Sequence, residues 1–258
     1  MLRSKGVDGI IFTSAHMYDS NIAELAEEGF PIILVNRRTS EPAMRARVDY
    51  VGINNTRGGY VAVEHLIRLG HERIGVIAGQ PDSSVGVERL EGGKKALEAY
   101  GLEETEAYFT DGDFLKGSGY EAGRRFMGMV DPPTAVFATN DYMALGAYEA
   151  ILDQGFKIPE EVALVGFNDI EFSAIKGIEL TTIGQKKSEM GPVAVRMLVD
   201  RVEGRRTETV QETILEPELV IRKTCGFHLR GYQRNGLESP LGQASDGLHH
   251  PVNMEGSR

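Results

Sequence analysis

The sequence predicts an α/β protein in which strands buried in a sheet alternate with amphipathic helices. The clearest unit runs from residue 133 to residue 169. It contains two short apolar runs, AVFA at 135–138 and VALVGF at 162–167, with a helical repeat of apolar residues between them. Short apolar runs are typical of strands that are covered on both faces. A strand-helix-strand unit of this kind predicts two parallel strands joined by a right-handed crossover.

The helix of this unit is predicted from its ends as well as from its apolar spacing. Thr139, Asn140 and Asp141 are residue types that accept hydrogen bonds from the free N–H groups at a helix start. Gly155 suits the left-handed conformation that ends a helix, and Pro159 bars its continuation. We therefore predict a helix that begins at these polar residues and ends at Gly155.

The same alternation is predicted along the rest of the chain. Strands are predicted at 7–12, 32–36, 48–53, 73–79, near 107–110, at 179–184, and twice within 211–222 on either side of Pro217. Helices are predicted at 22–29 with Asp19 or Ser20 as the cap, and at 58–70, 86–100, 118–130 and 187–203. Pro192 is compatible with the last of these helices only in its first turn. Repeated alternation of this kind predicts sheets covered by helices on both faces.

Polar residues follow several predicted strands at the point where each strand ends. Asn140 follows the first strand of the clearest unit, and Asn168 and Asp169 follow its second strand. Asn54 and Asn55 follow an earlier strand in the same way. In open α/β sheets, ligands bind at this C-terminal edge. The alternative interpretation is structural, because Asn and Asp are also common cap and turn residues.

Composition narrows the class of protein. The chain has 258 residues, of which 41% are hydrophobic and 26% are charged, as in ordinary globular proteins with one or two domains. The formal net charge is −10. Proteins that bind the phosphate backbone of nucleic acids carry a basic surface, so this chain is not expected to bind nucleic acid by itself.

The sequence also points away from export and catalysis. Cys225 is the only cysteine, and no signal-peptide core or membrane-length apolar run is present, so we predict a cytoplasmic protein with no membrane association. The sequence contains no nucleophile elbow, no phosphate-binding loop and no His-Glu-x-x-His motif. We therefore predict neither enzyme activity nor a cofactor. His249 and His250 lack further ligands for a metal site, and their segment, 227–258, is predicted to be a mobile tail.

The stretch FATNDYMALGAYEAILDQGFKIPEEVALVGFND resembles the effector-binding core of LacI/GalR-type transcriptional regulators, which have the type I periplasmic-binding-protein fold. The resemblance covers roughly residues 6 to 225. Further matching stretches are VDGIIF, PIILVNR, GGYVAVEHLIRLGHERIGVIAG, ERLEGGKKAL, GSGYEAG, LTTIGQ and LVIRK.

The resemblance implies two lobes, each a parallel sheet with helices on both faces, and a ligand between them. The first lobe is expected at 1–79 plus 187–205, and the second at 82–183 plus 209–225. Complete family members begin with a helix-turn-helix head and a hinge helix, followed by a strand-helix-strand unit. None of these precedes VDGIIF here. The first lobe is therefore expected to lack its initial strand-helix-strand, which would leave the pocket incomplete.

The resemblance also implies which residues contact the effector. Arg89 matches the family arginine that reaches into the cleft, and Phe114 matches its stacking aromatic residue. Their structural alternatives are a surface arginine and a core phenylalanine. Asn140 matches a ligand-contacting asparagine. Asn168 stands where many members carry Asp, and Asp169 is either a turn residue or its substitute. The weaker candidates are Asn54, Asn55 and Gln185.

The implied function is that of the effector-binding and dimerisation core of a transcriptional regulator. Its effector would be a sugar or a purine, its partner a second copy of the chain, and its contact with operator DNA would require the missing N-terminal head. Two alternatives remain open from the sequence. One is a sugar-binding protein of a transporter, which shares the fold, and the other is a non-functional gene fragment.

Overall fold

The structure, a computed structural model, describes residues 6–205 and 210–230, which form two sheets with helices packed on them. The strands are β1 (Ile10–Phe12), β2 (Ile32–Val35), β3 (Asp49–Ile53), β4 (Ile74–Ala78), β5 (Phe109–Asp111), β6 (Ala135–Ala138), β7 (Ala163–Asn168), β8 (Thr181–Gly184), β9 (Glu212–Leu215) and β10 (Glu218–Val220). The α-helices are α1 (Ser20–Glu27), α2 (Pro42–Arg45), α3 (Asn55–Arg68), α4 (Ser84–Ala99), α5 (Lys116–Met127), α6 (Asp141–Asp153) and α7 (Lys187–Val202).

The first sheet has the order β1-β2-β3-β9, and all its neighbouring strands are parallel. The second sheet has the order β10-β8-β7-β6-β4-β5 and is parallel except for the pair of β10 with β8. Strands β4 and β6 are completely buried, as their apolar runs predict. The predicted α/β fold class is therefore confirmed.

Two strands lie in a different sheet from the one that the predicted lobe boundaries imply. Strand β4 falls within residues 1–79 of the predicted first lobe, but it pairs with β5 and β6 in the second sheet. Strand β9 falls within residues 209–225 of the predicted second lobe, but it pairs with β3 in the first sheet. Helix α7 packs on β1, β2 and β3, so the chain that leaves it meets the first sheet before it reaches the second. Tertiary pairing of this kind is not visible in the order of the elements.

One local prediction is also wrong, and another differs from the structure in its first four residues. Pro192 lies inside α7, beyond its first turn, because the helix begins directly after Lys186, which has a left-handed backbone conformation (φ 49°). The segment predicted to be mobile from residue 227 begins with a short 3₁₀ turn at Phe227–Arg230. Residues 231–258, including His249 and His250, lie outside the described part of the chain.

Helices α3 and α4 are in direct backbone contact, and glycines permit this. A Cβ on Gly59 of α3 would lie 2.0 Å from the Arg89 carbonyl oxygen of α4. A Cβ on Gly92 of α4 would lie 2.0 Å from the Thr56 carbonyl oxygen of α3. Any larger side chain at either position would push the two helices apart. The contact fixes Arg89 beside the N-terminus of α3.

A buried ion pair joins α7 to the start of β3. The Asp49 carboxylate, whose side chain is 2% exposed, accepts hydrogen bonds from Arg201 Nε at 2.7 Å and Nη2 at 2.8 Å. It also accepts from the Gln211 N–H at 2.7 Å, just before β9. One carboxylate thus holds together three segments that are far apart in the chain.

None of the helices that the structure describes combines the length and hydropathy that a membrane-spanning helix needs.

Removing the arginine of this pair is expected to destabilise the first sheet. The Arg201→Met substitution leaves the buried Asp49 carboxylate without this countercharge, which costs about 3 kcal/mol of unfolding free energy in comparable pairs. Urea denaturation followed by circular dichroism measures the loss. The control is Lys95→Met, which removes an exposed ion pair with Glu91 and is expected to cost less than about 1 kcal/mol. Equal losses in the two variants would contradict the prediction.

A second prediction concerns His65, which is buried on α3 with its ring 6.2 Å from that of Phe227. Burial, together with the nearby charges of His71 and Arg68, lowers the pKa of His65 to about 4. The unfolded chain takes up this proton near pH 6.5, whereas the folded chain does so only near its lower pKa. The unfolded state therefore binds more protons in between, and stability falls as the pH drops from about 6.5 towards 4.

The His65→Gln substitution is expected to make this loss of stability shallower, by up to about 1.4 kcal/mol per pH unit. Urea midpoints of the chain and the variant, compared between pH 7 and pH 5, measure the difference in slope. Identical slopes would show that His65 does not titrate in this way.

Candidate functional site

The loops at the C-terminal ends of the two sets of strands face each other. After β1, the Met17 N–H donates to the Asp82 carbonyl oxygen at 2.9 Å, in the loop that follows β4. After β2, the Arg38 N–H donates to Ser84 Oγ at 3.0 Å, at the start of α4. These contacts make the C-terminal edges of the two sheets the walls of one cleft, where ligands of open α/β sheets bind.

Arg89 is a deeply buried charged group of this cleft, with 1% of the residue exposed. Its Nε donates to Asn55 Oδ1 at 2.9 Å, and its Nη1 donates to the Thr139 carbonyl oxygen at 2.7 Å. Its guanidinium carbon lies 3.8 Å from the centre of the Phe167 ring. Burial lowers the pKa of Arg89 to about 9, so the group remains charged at neutral pH. The alternative of an ordinary surface arginine is excluded.

Asn55 and Glu88 complete the surroundings of Arg89. Asn55 is buried and donates from Nδ2 to Glu88 Oε2 at 3.0 Å. Glu88 in turn accepts from Arg38 Nε at 2.9 Å, and Arg38 also donates from Nη1 to Glu212 Oε1 at 2.7 Å. Asn55, one of the weaker predicted residues, therefore orients Arg89 within a network that crosses from one sheet to the other.

Phe114 follows β5 in a left-handed backbone conformation, with φ at 69°. Its ring is packed so closely on Gly79 that a Cβ there would lie 2.2 Å from ring carbons. The guanidinium of Arg37, from the loop after β2, lies 5.0 Å from the ring centre, within the range of a cation–π contact. The ring is half-buried, and it packs against the hydrophobic core of the second sheet as well as against Arg37 of the facing loop.

Asn140 and Asn54 act as helix caps in this structure. Asn140 accepts from the Met143 N–H at 2.8 Å and donates to the Phe114 carbonyl oxygen at 2.8 Å. Asn54 accepts from the Arg57 N–H at 3.0 Å. The structural interpretation of these two residues therefore has direct support. Through its bond to the carbonyl oxygen, Asn140 also holds the backbone of Phe114 in place just before α5.

Asn168 and Asp169, at the end of β7, differ in whether their side-chain oxygens have hydrogen-bond partners. Both have positive φ values, 116° and 50° respectively. The Asp169 carboxylate accepts from Arg222 Nη2 at 2.6 Å, so it is held by the protein. The Oδ1 atom of Asn168 is buried and has no hydrogen-bond partner among the described residues. Gln185 is buried nearby, after β8, and donates to Asn36 Oδ1 of the facing loop at 3.3 Å.

Buried polar atoms that lack a partner are concentrated at this edge. Of the five such side-chain atoms in the described residues, four follow strands of the second sheet or lie on α4: Ser83 Oγ, Arg89 Nη2, Thr139 Oγ1 and Asn168 Oδ1. Leaving such atoms unsatisfied costs about 1–3 kcal/mol each. A polar ligand in the cleft would supply their partners.

Asp141, at the start of α6, stabilises the loops at the C-terminal edge of the second sheet. Its carboxylate is completely buried and accepts from Thr182 Oγ1 at 2.6 Å, from Ser173 Oγ at 2.9 Å and from the Ile170 N–H at 2.9 Å. Burial raises the pKa of Asp141, and the three donors oppose that rise. The carboxylate therefore ties α6 to the loop after β7, and it is not turned towards a ligand.

The sequence analysis missed several residues at the cleft. Thr139 and Ser83 follow strands just as the chosen asparagines do, so the same rule at the strand ends would have found them. Arg37 follows Asn36 directly after β2, and no feature of the sequence shows that it meets Phe114 from the other sheet.

The rest of the described chain offers weaker sites. A cavity of about 310 Å³ opens at the N-terminal edge of the second sheet, near Arg73 and Tyr108. Several of its polar groups are paired within the protein: Arg73 with Asp131 at 3.1 Å, and the Tyr108 hydroxyl with the Asp131 carbonyl oxygen at 2.9 Å. Among residues 6–205 and 210–230, no cluster of three or more His, Cys, Asp or Glu is placed to hold a metal ion.

Comparison with known proteins identifies relatives with the same architecture. Residues 63–225 match the periplasmic binding protein-like domain family. The chain is 37% identical over 223 residues to the HTH-type transcriptional regulator CelR of Thermobifida fusca, covering 86% of this chain and 65% of that protein. It is 33% identical over 225 residues to the HTH-type transcriptional repressor PurR of Aliivibrio salmonicida (strain LFI1238), covering 87% and 66%. The chain thus spans about two thirds of the length of these relatives.

Solved structures agree with these relatives. A complex of the transcriptional regulator CelR with cellobiose superposes with a TM-score of 0.81 at 37% identity, covering 86% of this chain and 67% of that one. A LacI family transcriptional regulator from Enterococcus faecium with bound ribose superposes with a TM-score of 0.75 at 32% identity, covering 86% and 81%. The chain therefore belongs to the LacI family of transcriptional regulators, in which it forms the periplasmic-binding-protein-like effector-binding core.

Proposed function

We propose that the cleft between the two sheets binds a small polar effector of the sugar or purine class. The observation that carries this proposal is the concentration of buried, unpartnered polar atoms at the C-terminal strand ends. They combine the donor Arg89 Nη2, the acceptor Asn168 Oδ1 and two hydroxyls. Sugar hydroxyls and the ring atoms of purines offer acceptors and donors that match this mixture.

The relatives support the same class of effector. One of the similar structures is a complex with cellobiose, and another holds ribose. The chain's own aromatic group at the cleft, Phe114, provides a face beside which an apolar sugar or purine surface can pack.

Binding is proposed to act through the arrangement of the two sheets. Arg38 bridges Glu88 on α4 and Glu212 on β9, and Gln185 meets Asn36 across the cleft. A ligand that contacts both walls binds best when these walls are close together. It can shift the arrangement only by its difference in affinity for the closed and open forms.

The regulatory function belongs to the whole protein. We propose that the chain acts as a cytoplasmic homodimer, and that operator DNA is read by an N-terminal head of the kind that the names of its HTH-type relatives describe. The net charge of −10 is consistent with a core that does not itself grip DNA.

Thermal unfolding of the full chain with a panel of pentoses, hexoses, disaccharides, purines and nucleosides tests the effector proposal. A bound ligand is expected to raise the unfolding temperature, because it binds the folded state alone. Failure of every compound to change the unfolding temperature or to give heat in calorimetry would count against the function.

The Thr139→Val substitution tests whether the unpartnered atoms serve the ligand. Valine has nearly the same shape and removes a buried hydroxyl that has no partner, so stability is expected to stay equal or to rise. Ligand affinity is expected to fall about fivefold, for the loss of one hydrogen bond. The matched control, Thr182→Val, removes a hydroxyl that donates to Asp141 and is expected to lose stability. Unchanged affinity in the Thr139 variant would contradict its role at the site.

A further inference from the structure

Three carboxylates near the cleft, the buried Asp141 and the partly buried Asp169 and Glu88, are engaged within the protein. Asp141 accepts three hydrogen bonds, and Asp169 is paired with Arg222 at 2.6 Å. Glu88 is paired with Arg38 at 2.9 Å and also accepts from an asparagine. None of these three offers a ligand an uncommitted negative charge. An ionised carboxylate only accepts hydrogen bonds, so it suits ligand groups that donate them, such as sugar hydroxyls and amines.

Two guanidiniums at the cleft have donors to spare. Arg89 Nη2 has no partner, although the residue is 1% exposed. Arg37 is half-buried, and within the described part of the chain its guanidinium makes no hydrogen bond or ion pair. The guanidinium carbon lies over the Phe114 ring, 5.0 Å from the ring centre. An arginine can donate five hydrogen bonds in a fixed planar arrangement that suits carboxylate and phosphate oxygens.

These two positive groups come from different walls of the cleft. Arg37 follows β2 of the first sheet, whereas Arg89 lies on α4, which packs on β4 of the second. They are close enough that the charge of Arg37 contributes to lowering the pKa of Arg89. Asp82, whose charge opposes the lowering of the Arg37 pKa by burial, is exposed, and its Oδ2 lies 3.0 Å from His16 Nδ1. The carboxylates of Asp141 and Glu88 oppose the lowering of the Arg89 pKa. The guanidinium of Arg37 is therefore the group whose donors remain open to an anion.

We propose that the effector carries an anionic group, a phosphate or a carboxylate, on a sugar- or nucleoside-sized body, and that Arg37 and Arg89 hold this group from the two walls. The inference rests on the proposed function and narrows the class of its ligand. Arg37 selects for the anion, because its donors are otherwise unused. Since it also stacks on Phe114, the anionic group binds at the edge of that ring.

Calorimetry of the full 258-residue chain with neutral and anionic ligands of matched skeleton tests the inference. The pairs are glucose with glucose 6-phosphate, glucose with glucuronate, ribose with ribose 5-phosphate, and guanosine with its 5′-monophosphate. In at least one pair the anionic member is expected to bind about tenfold tighter or more, from one charge-assisted contact. The preference is also expected to weaken as salt is added. The phosphate and carboxylate pairs separate the two sources of charge.

The Arg37→Gln substitution identifies the residue responsible. It keeps a polar side chain but removes the charge, and it is expected to reduce the preference for the anionic member to about threefold or less. The control is Arg124→Gln, which removes the same charge from an exposed position near the far end of α5 and is expected to retain the full preference. Unfolding temperatures of both variants without ligand show that each is folded.

The outcomes separate the two claims. Equal or tighter binding of the neutral member in every pair that binds overturns this inference and leaves the proposed function standing. An anion preference that survives in the Arg37 variant also overturns it. Inorganic phosphate binding as tightly as the preferred anionic sugar would show an ion site without sugar recognition, which overturns it as well. Failure of both members of every pair counts against the proposed function itself, and the inference falls with it.

Discussion

The complete burial of the Arg89 guanidinium is the constraint on which the arrangement of the cleft depends. A buried charge is tolerated only where it is hydrogen bonded, and its partners here come from three places: Asn55 at the start of α3, the Thr139 carbonyl oxygen after β6, and the ring of Phe167 in β7. These partners can converge only because Gly59 allows α3 and α4 to touch. The same convergence leaves Nη2 of the guanidinium buried without a hydrogen-bond partner. Packing and binding chemistry are thus two consequences of one buried side chain.

Much of the fold could be predicted from the sequence, because its signals are local. The apolar runs at 135–138 and 162–167 became the buried strands β6 and β7, shifted by one residue in the second case. Asp19 and Asn140 cap the helices that follow them. Arg89 was predicted at the site through resemblance alone, and periodicity would have placed it only on a helix.

The remaining features depend on contacts between segments that are distant in the chain. Asp169 is held by Arg222, fifty-three positions later, so one of its carboxylate oxygens already has a partner within the protein. Arg37 reaches Phe114 only because the two sheets face each other at their C-terminal edges. The strand at 212–215 joins the first sheet because α7 returns the chain there. The spacing of residues in the sequence does not indicate such long-range pairings. Helix caps and buried strands, in contrast, are determined by residue types within a few positions of each other.

The most direct test of the central claim is hydrogen exchange of the full chain with and without the tightest ligand that calorimetry identifies. The predicted result is slower exchange in the segments at the C-terminal strand ends, 79–84, 112–115 and 168–170, because the ligand closes the two walls of the cleft around itself. Slower exchange confined to 103–109, beside the cavity at the opposite edge of the second sheet, would contradict the placement of the effector site.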